Sequence, residues 1–114
     1  MKGRKNAIVV GVSKFGSVIV RTTRVDAGGF SFTNGDGLLR RGNTLYVMRN
    51  QNNQLVQATL SHDFTRARVV RTITDPNFDT PTTIAFFGPF IYAVNARLTT
   101  PATPDTTYTV VRVP

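Results

Sequence analysis

The segment from Asn34 to Asn50, "NGDGLLRRGNTLYVMRN", returns forty-six positions later as "PTTIAFFGPFIYAVNA", residues 81 to 96. Gly42 falls on Gly88, Leu45-Tyr46 on Ile91-Tyr92, and Leu38-Leu39 on Ile84-Ala85, without a gap. A chain that echoes itself at such a period builds one supersecondary unit more than once, and that excludes most single-core topologies. A shift of thirty-seven positions gives a second match. It puts Ile8-Val9-Val10 on Leu45-Tyr46-Val47, Gly16 on Asn53, and Val18-Ile19-Val20 on Leu55-Val56-Gln57.

The unit is made of strands. Thr and Val are abundant, Gly, Pro, Asn and Asp supply the punctuation, and no segment sustains a helical period. Ala7 to Val12 and "SVIVRTT" flank the turn "SKFG", which predicts a hairpin. Arg24 to Asp26 predicts a short further strand. Gly37 to Arg40, Thr44 to Arg49, Gln54 to Leu60 and "RVVRTIT" follow, with Val69, Arg71 and Ile73 alternating against their neighbours as in a half-buried strand. "DPNFDTP" ends that series because proline resists continuing a ladder. Thr82 to Phe86, Phe90 to Val94 and Tyr108 to Val113 complete ten strands, with the Pro- and Thr-rich loop "RLTTPATPDTT" before the last.

Three copies of one antiparallel unit result. Only the middle copy has four strands; the first lacks its opening strand and the last its closing one. Four short strands in roughly 40 to 45 residues describe a β-propeller blade. The expected fold is therefore all-β, a single partial β-propeller segment of about two and a half blades: a partial blade over 6–26, a complete one over 36–74 and a partial one over 81–114. A propeller blade covers its faces with its neighbours, so a partial array leaves both ends open. Self-association into a ring is the expected remedy; closure of the chain on itself as a small barrel or sandwich, or membership of a longer chain, are the other two.

Composition limits the chemistry. The chain has 114 residues, which is one domain at most. Cysteine is absent, which removes a disulfide framework, a thiolate nucleophile and a cysteine-built zinc site, and leaves the compartment unread. No apolar run is long enough for a membrane-spanning helix. The basic, apolar start "MKGRKNAIVVGVSKFGSVIV" has the outline of a signal peptide. However, Lys14 and Phe15 interrupt it and no small-residue cleavage site follows, so it reads as strand. Fourteen Lys and Arg face six acids, all Asp, for a net charge of +8, and six of the basic residues precede Asp26. Such a surface attracts phosphate backbones or acidic membranes, or else its cations line strand edges and block edge-to-edge pairing.

From "NGDGLLRRGNTLYVMRNQNNQLVQATL" through "VVRTITDPNFDTPTTIAFFGPFIYAVNARL" to "YTVVRVP", the chain resembles the carboxy-terminal third to half of the six-bladed propellers of the senescence marker protein, gluconolactonase and regucalcin-like family. It looks closest to lactonase-like members of unassigned activity. The resemblance implies a central divalent cation, often calcium, that polarises a lactone carbonyl and activates water. It implies that Asp36, in an Asp-Gly pair opening an inner strand, is one metal ligand. It also exposes two departures. The family's glutamate has no counterpart, since this chain contains no Glu, and the strand carrying its asparagine is missing. One carboxylate cannot hold a cation that wants six or more oxygens. A lone chain is expected to lack lactonase activity, and a metal-dependent sugar-lactone or ester hydrolase would require the assembled state. If several chains surround a pocket, Asn34, Asp36, Thr82, Thr83 and Asn95 are the candidates to line it. The other reading of "NGDG" is a turn with side chains capping their own backbone.

Two further possibilities have less behind them. Ser61, His62 and Asp63 are consecutive, and neighbouring side chains diverge where a triad needs convergence, so His62 is expected to be a surface loop residue. Phe30, Phe32, Phe86, Phe87, Phe90 and Tyr92 interleave with arginines, as on sheets that bind single-stranded nucleic acid. That reading requires several of them exposed beside Arg40, Arg41 or Arg49; in a propeller they pack between blades.

Overall fold

The computed structural model describes residues 8–15 and 18–114, with side chains from Val25 onward. It is all-β, in nine strands among these residues. β1 (Ile8–Phe15) and β2 (Val18–Val25) form an antiparallel hairpin; β3 (Gly35–Arg41), β4 (Thr44–Arg49), β5 (Gln54–Leu60) and β6 (Ala67–Thr74) form a four-stranded sheet in chain order. β7 (Pro81–Phe87), β8 (Phe90–Asn95) and β9 (Val110–Arg112) form a three-stranded sheet, also in chain order. All pairings within these sheets are antiparallel. No helix among the described residues is long and apolar enough to cross a membrane.

Arg24 to Asp26 makes no strand of its own. β2 runs through Arg24 to Val25, and Asp26 makes one parallel bridge to Arg66, its N–H donating to the Thr65 carbonyl and its own carbonyl accepting from Ala67. Proline opens β7, the position where its missing N–H does least harm.

The forty-six-residue echo holds in the backbone pairing, residue for residue. Gly35 pairs with Arg49 and Pro81 with Asn95; Leu38 pairs with Val47 and Ile84 with Ala93. Both hairpins close on two residues whose first is a glycine with positive φ, Gly42 at 59° and Gly88 at 58°, the pattern of a type II′ turn. Asn34 and Thr80, forty-six apart, both take left-handed backbone, and their carbonyls accept from the N–H of Asn50 and Ala96, which are also forty-six apart. The thirty-seven-residue match is not kept. It would place Val10 opposite Ile19, whereas Lys14 pairs with Ile19: the pair Phe15 and Val18 that ends the β1–β2 ladder is closer in sequence than the pair Arg49 and Gln54 that ends the β4–β5 ladder. Gly16, Asn6 and Ala7, which entered that match or the first unit, lie outside the described residues.

Two apolar layers result, and they too are copies. Met48, Leu55 and Ile73 of the four-stranded sheet meet Phe78, Ile84, Ala93 and Val113 between the two sheets. On the other face of the four-stranded sheet, Leu45, Val47, Val56 and Ala58 pack with Phe32 and Val25. Phe32, Leu45 and Val47 stand forty-six positions before Phe78, Ile91 and Ala93. β4 and β5 are thus covered on both sides and read as near-continuous apolar runs, as doubly buried strands do. β6 is an edge strand, and Arg68 and Arg71 are exposed on it.

The sheets meet where β3 passes β7, and Gly37 makes that possible. It is buried, and a Cβ there would overlap the Thr82 carbonyl oxygen and stand 3.2 Å from Thr83 Cα. Backbone on the far side cannot yield as a side chain would. Gly37→Ala is expected to lower stability by about 1–3 kcal/mol through overpacking, read as a lower denaturant midpoint with an unchanged slope. A midpoint equal to that of the unaltered chain would mean that the strands are not held this close.

Candidate functional site at the seam between the sheets

Asp36 and Thr82 are forty-six residues apart, and each is the extra residue of a β-bulge. The register slips between Gly35 and Gly37 against β4, and between Pro81 and Thr83 against β8. A bulge bends its strand and re-aims one side chain. Here the two bulges lie on the facing strands β3 and β7, and the Thr82 hydroxyl donates to the Asp36 carboxylate across the seam. The Asn50 amide reaches the same carboxylate oxygen at 3.4 Å, and the Asn34 amide donates to Asn52 Oδ1 at 3.1 Å.

Of the five predicted lining residues, Asp36 and Thr82 are therefore brought into contact. Asn34 lies beside them through the turn it shares with Asn50 and Asn52, and Thr83 is the exposed residue after Thr82. Asn95 belongs to a different network. It is 2% exposed; its Nδ2 donates to the Asn77 carbonyl and the Thr109 hydroxyl, and its Oδ1 accepts from the Asp79 N–H. It holds the turn before β7 and ties it to Thr109, just before β9. Arg49, forty-six residues earlier, likewise holds the turn before β3, donating from Nε to the Thr33 carbonyl at 2.9 Å.

The calcium ion implied by the family resemblance does not fit the donors of one chain. Asp36 brings one carboxylate, with the Thr82 hydroxyl and the Asn50 amide as neutral company, whereas calcium takes six to eight oxygens. No group of three or more His, Cys, Asp or Glu able to hold a metal ion occurs among the described residues.

Ser61 and Asp63 do converge, but on each other. Ser61 Oγ donates to Asp63 Oδ1 at 2.8 Å, and His62 is an exposed loop residue. The same carboxylate oxygen accepts from the Thr65 hydroxyl at 2.7 Å and the Thr65 N–H at 3.1 Å. These bonds, led by that from the Thr65 hydroxyl and followed by that from Ser61, lower the Asp63 pKa from 3.8 to about 2. Three donors on an anion explain the shift, and the loop is a pin for the β5–β6 connection.

The arginines named with the aromatic residues lie on ring faces within the protein. Arg41 covers Phe86 at 3.7 Å, Arg40 covers Phe64 at 5.2 Å and Arg49 covers Phe30 at 5.7 Å. Phe32 is buried, and Phe86 also meets Tyr46 edge-on at 5.9 Å. The array of exposed rings beside Arg40, Arg41 and Arg49 that nucleic-acid binding would need is not formed; of the six aromatic residues named for it, the exposed ones are Phe87 and Phe90, at the β7–β8 turn. Sequence reasoning had no signal for the pairing of Arg41 with Phe86, since forty-five residues separate them.

No protein-family model, curated protein or solved structure matches this chain.

The Asp63 shift gives a signed prediction. Its folded pKa lies below its unfolded value, so the anion favours the folded loop above about pH 4, and that contribution is lost as pH falls toward about 2. Carboxyl carbon shifts followed by NMR should place the Asp63 midpoint near 2, and Thr65→Val should raise it. A midpoint near 3.8 would contradict the three-donor loop.

Proposed function

We propose that this chain is a β-propeller-derived segment, from a sugar-lactonase-like scaffold, that self-associates and holds no complete catalytic site by itself. The observation that supports this reading is the congruence of the two sheets. Pairing, bulge, type II′ turn and left-handed entry residue all recur at one spacing of forty-six. Sheets stacked face to face that meet along their first strands are consistent with blades of a radial array, which supports this reading. The shape agrees. The Cα radius of gyration is 15.4 Å, against about 13 Å for a compact domain of this length. The molecule measures 45 × 36 × 25 Å, an open stack in which the sheets have not closed on themselves.

In this reading Asp36 and Thr82 face the end of the array where the first strands converge, and their bulges are what remains of an ancestral ligand-holding rim. Hydrolysis of a small lactone or ester is the second reading, favoured by the position of Asp36 alone. It requires donors from other copies.

Light scattering coupled to size-exclusion chromatography should give a mass that is a multiple of 12.5 kDa. A species that stays at one chain mass at high concentration contradicts the assembly. In the same preparations, calcium, zinc or manganese should support no lactone turnover; turnover that a chelator abolishes would replace the first reading by the second.

A further inference from the structure

The three-stranded sheet has one face against its neighbour and one face that is bare among the described residues, and the bare face is apolar. Phe87 is 78% exposed and Val110 61% exposed; Ala85 and Phe90 are exposed beside them, and Tyr92 and Val94 are partly covered. Ala85, Phe86, Phe87 and Tyr92 line a shallow depression of about 500 Å³ there. Arg112 caps the Phe90 ring at 4.6 Å, a polar border to the patch.

This patch repeats a surface that the molecule already buries. Ala85, Tyr92 and Val94 stand forty-six positions after Leu39, Tyr46 and Met48. Val110 pairs with Val94 as Leu55 pairs with Met48, so Val110 takes the place of Leu55. Met48 and Leu55 are fully buried against β7, β8 and β9, with Leu39 and Tyr46 packed around them. The four-stranded sheet thus uses this set of positions to hold a following sheet. On the three-stranded sheet Ala85 and Val110 of this set are exposed and Tyr92 and Val94 are partly covered, and Phe87, forty-six positions after the exposed Arg41, adds an apolar ring at the edge of the set. Exposed apolar patches of this kind mark interaction surfaces.

We infer that a second copy of this chain docks on the outer face of β7, β8 and β9, through Phe87, Tyr92, Val94 and Val110. This rests on the assembly proposed above and names the surface that carries it. The occupant follows from the interface inside the molecule, because what covers Leu39, Tyr46, Met48 and Leu55 is a sheet of this same chain. The equivalence joins unlike faces, so copies associate head to tail, an arrangement that ends in a ring where the rotation closes.

The test compares the unaltered chain with Phe87→Asp/Val110→Asp and with Val70→Asp, which places one such charge on the edge strand β6, away from the patch. The masses are read by light scattering and folding by far-UV circular dichroism. Charges at the centre of an apolar interface should weaken association by about 100-fold, leaving the double variant at the mass of one chain with its strand signal kept. Val70→Asp should keep the assembled mass. Should the double variant lose its fold, Phe87→Gln/Val110→Thr is read in the same way. An unaltered chain that is monomeric, or that takes up a mixed-sequence oligonucleotide on this face as a monomer, overturns the assembly and the surface together. An unaltered chain that assembles while both patch variants assemble equally well overturns the surface alone.

Discussion

Two sheets can meet along their first strands only if no side chain stands between the backbones, and Gly37 keeps that space clear. Its buried position against the Thr82 carbonyl and Thr83 Cα sets the separation of β3 and β7. Everything that fans outward from the seam depends on it. With β3 and β7 close, Met48, Leu55 and Ile73 reach Ile84 and Ala93 in one apolar layer. Arg41 then reaches across the same gap to the Phe86 ring. The adjacent bulge at Asp36 is a consequence of the same economy of space, since its carboxylate and the Thr82 hydroxyl meet at the point where the strands converge.

The second constraint is that a β-sheet has two faces, and water must be kept from each apolar one. The four-stranded sheet meets this requirement twice, with the three-stranded sheet on one side and Val25, Phe30 and Phe32 on the other. Its outermost strand, β6, carries arginines and ends the sheet. The three-stranded sheet meets the requirement once. Because Ala85, Tyr92, Val94 and Val110 of its outer face repeat the positions of Leu39, Tyr46, Met48 and Leu55, which pack between the sheets, the imbalance belongs to the build of the repeat.

Much of this was legible in the sequence, because a gapless repeat carries register with it. The match of Gly42 with Gly88 and of Leu38-Leu39 with Ile84-Ala85 carried the hairpins and their pairing, and Asp36-Gly37 was legible as the opening of a strand. The bulges themselves were not legible, since nothing in "NGDG" or "PTT" distinguishes an extra residue from a paired one. The thirty-seven-residue match failed for a physical reason. Val, Ile and Leu in short runs fit any strand, so apolar identity alone specifies no register. The strand at Arg24 to Asp26 was misread because Arg-Val-Asp has strand propensity whether it ends one strand or forms another. At the site, the sequence marked Asp36 and Thr82 only as candidates to line a pocket, and their contact needed the two bulges to bring them together; the role of Asn95 was hidden, since its three partners come from segments up to eighteen residues away.

The three tyrosines offer one sample with its own standards. Tyr46 lies between the sheets, Tyr108 is exposed, and Tyr92 occupies on the bare face the position that Tyr46 occupies on the covered one. Hydroxyl-radical footprinting at a concentration where the chains are assembled reads all three at once. The account predicts that Tyr92 is protected to the level of Tyr46 while Tyr108 reacts freely. Reactivity of Tyr92 that stays above that of Tyr46 and does not change with concentration would contradict it.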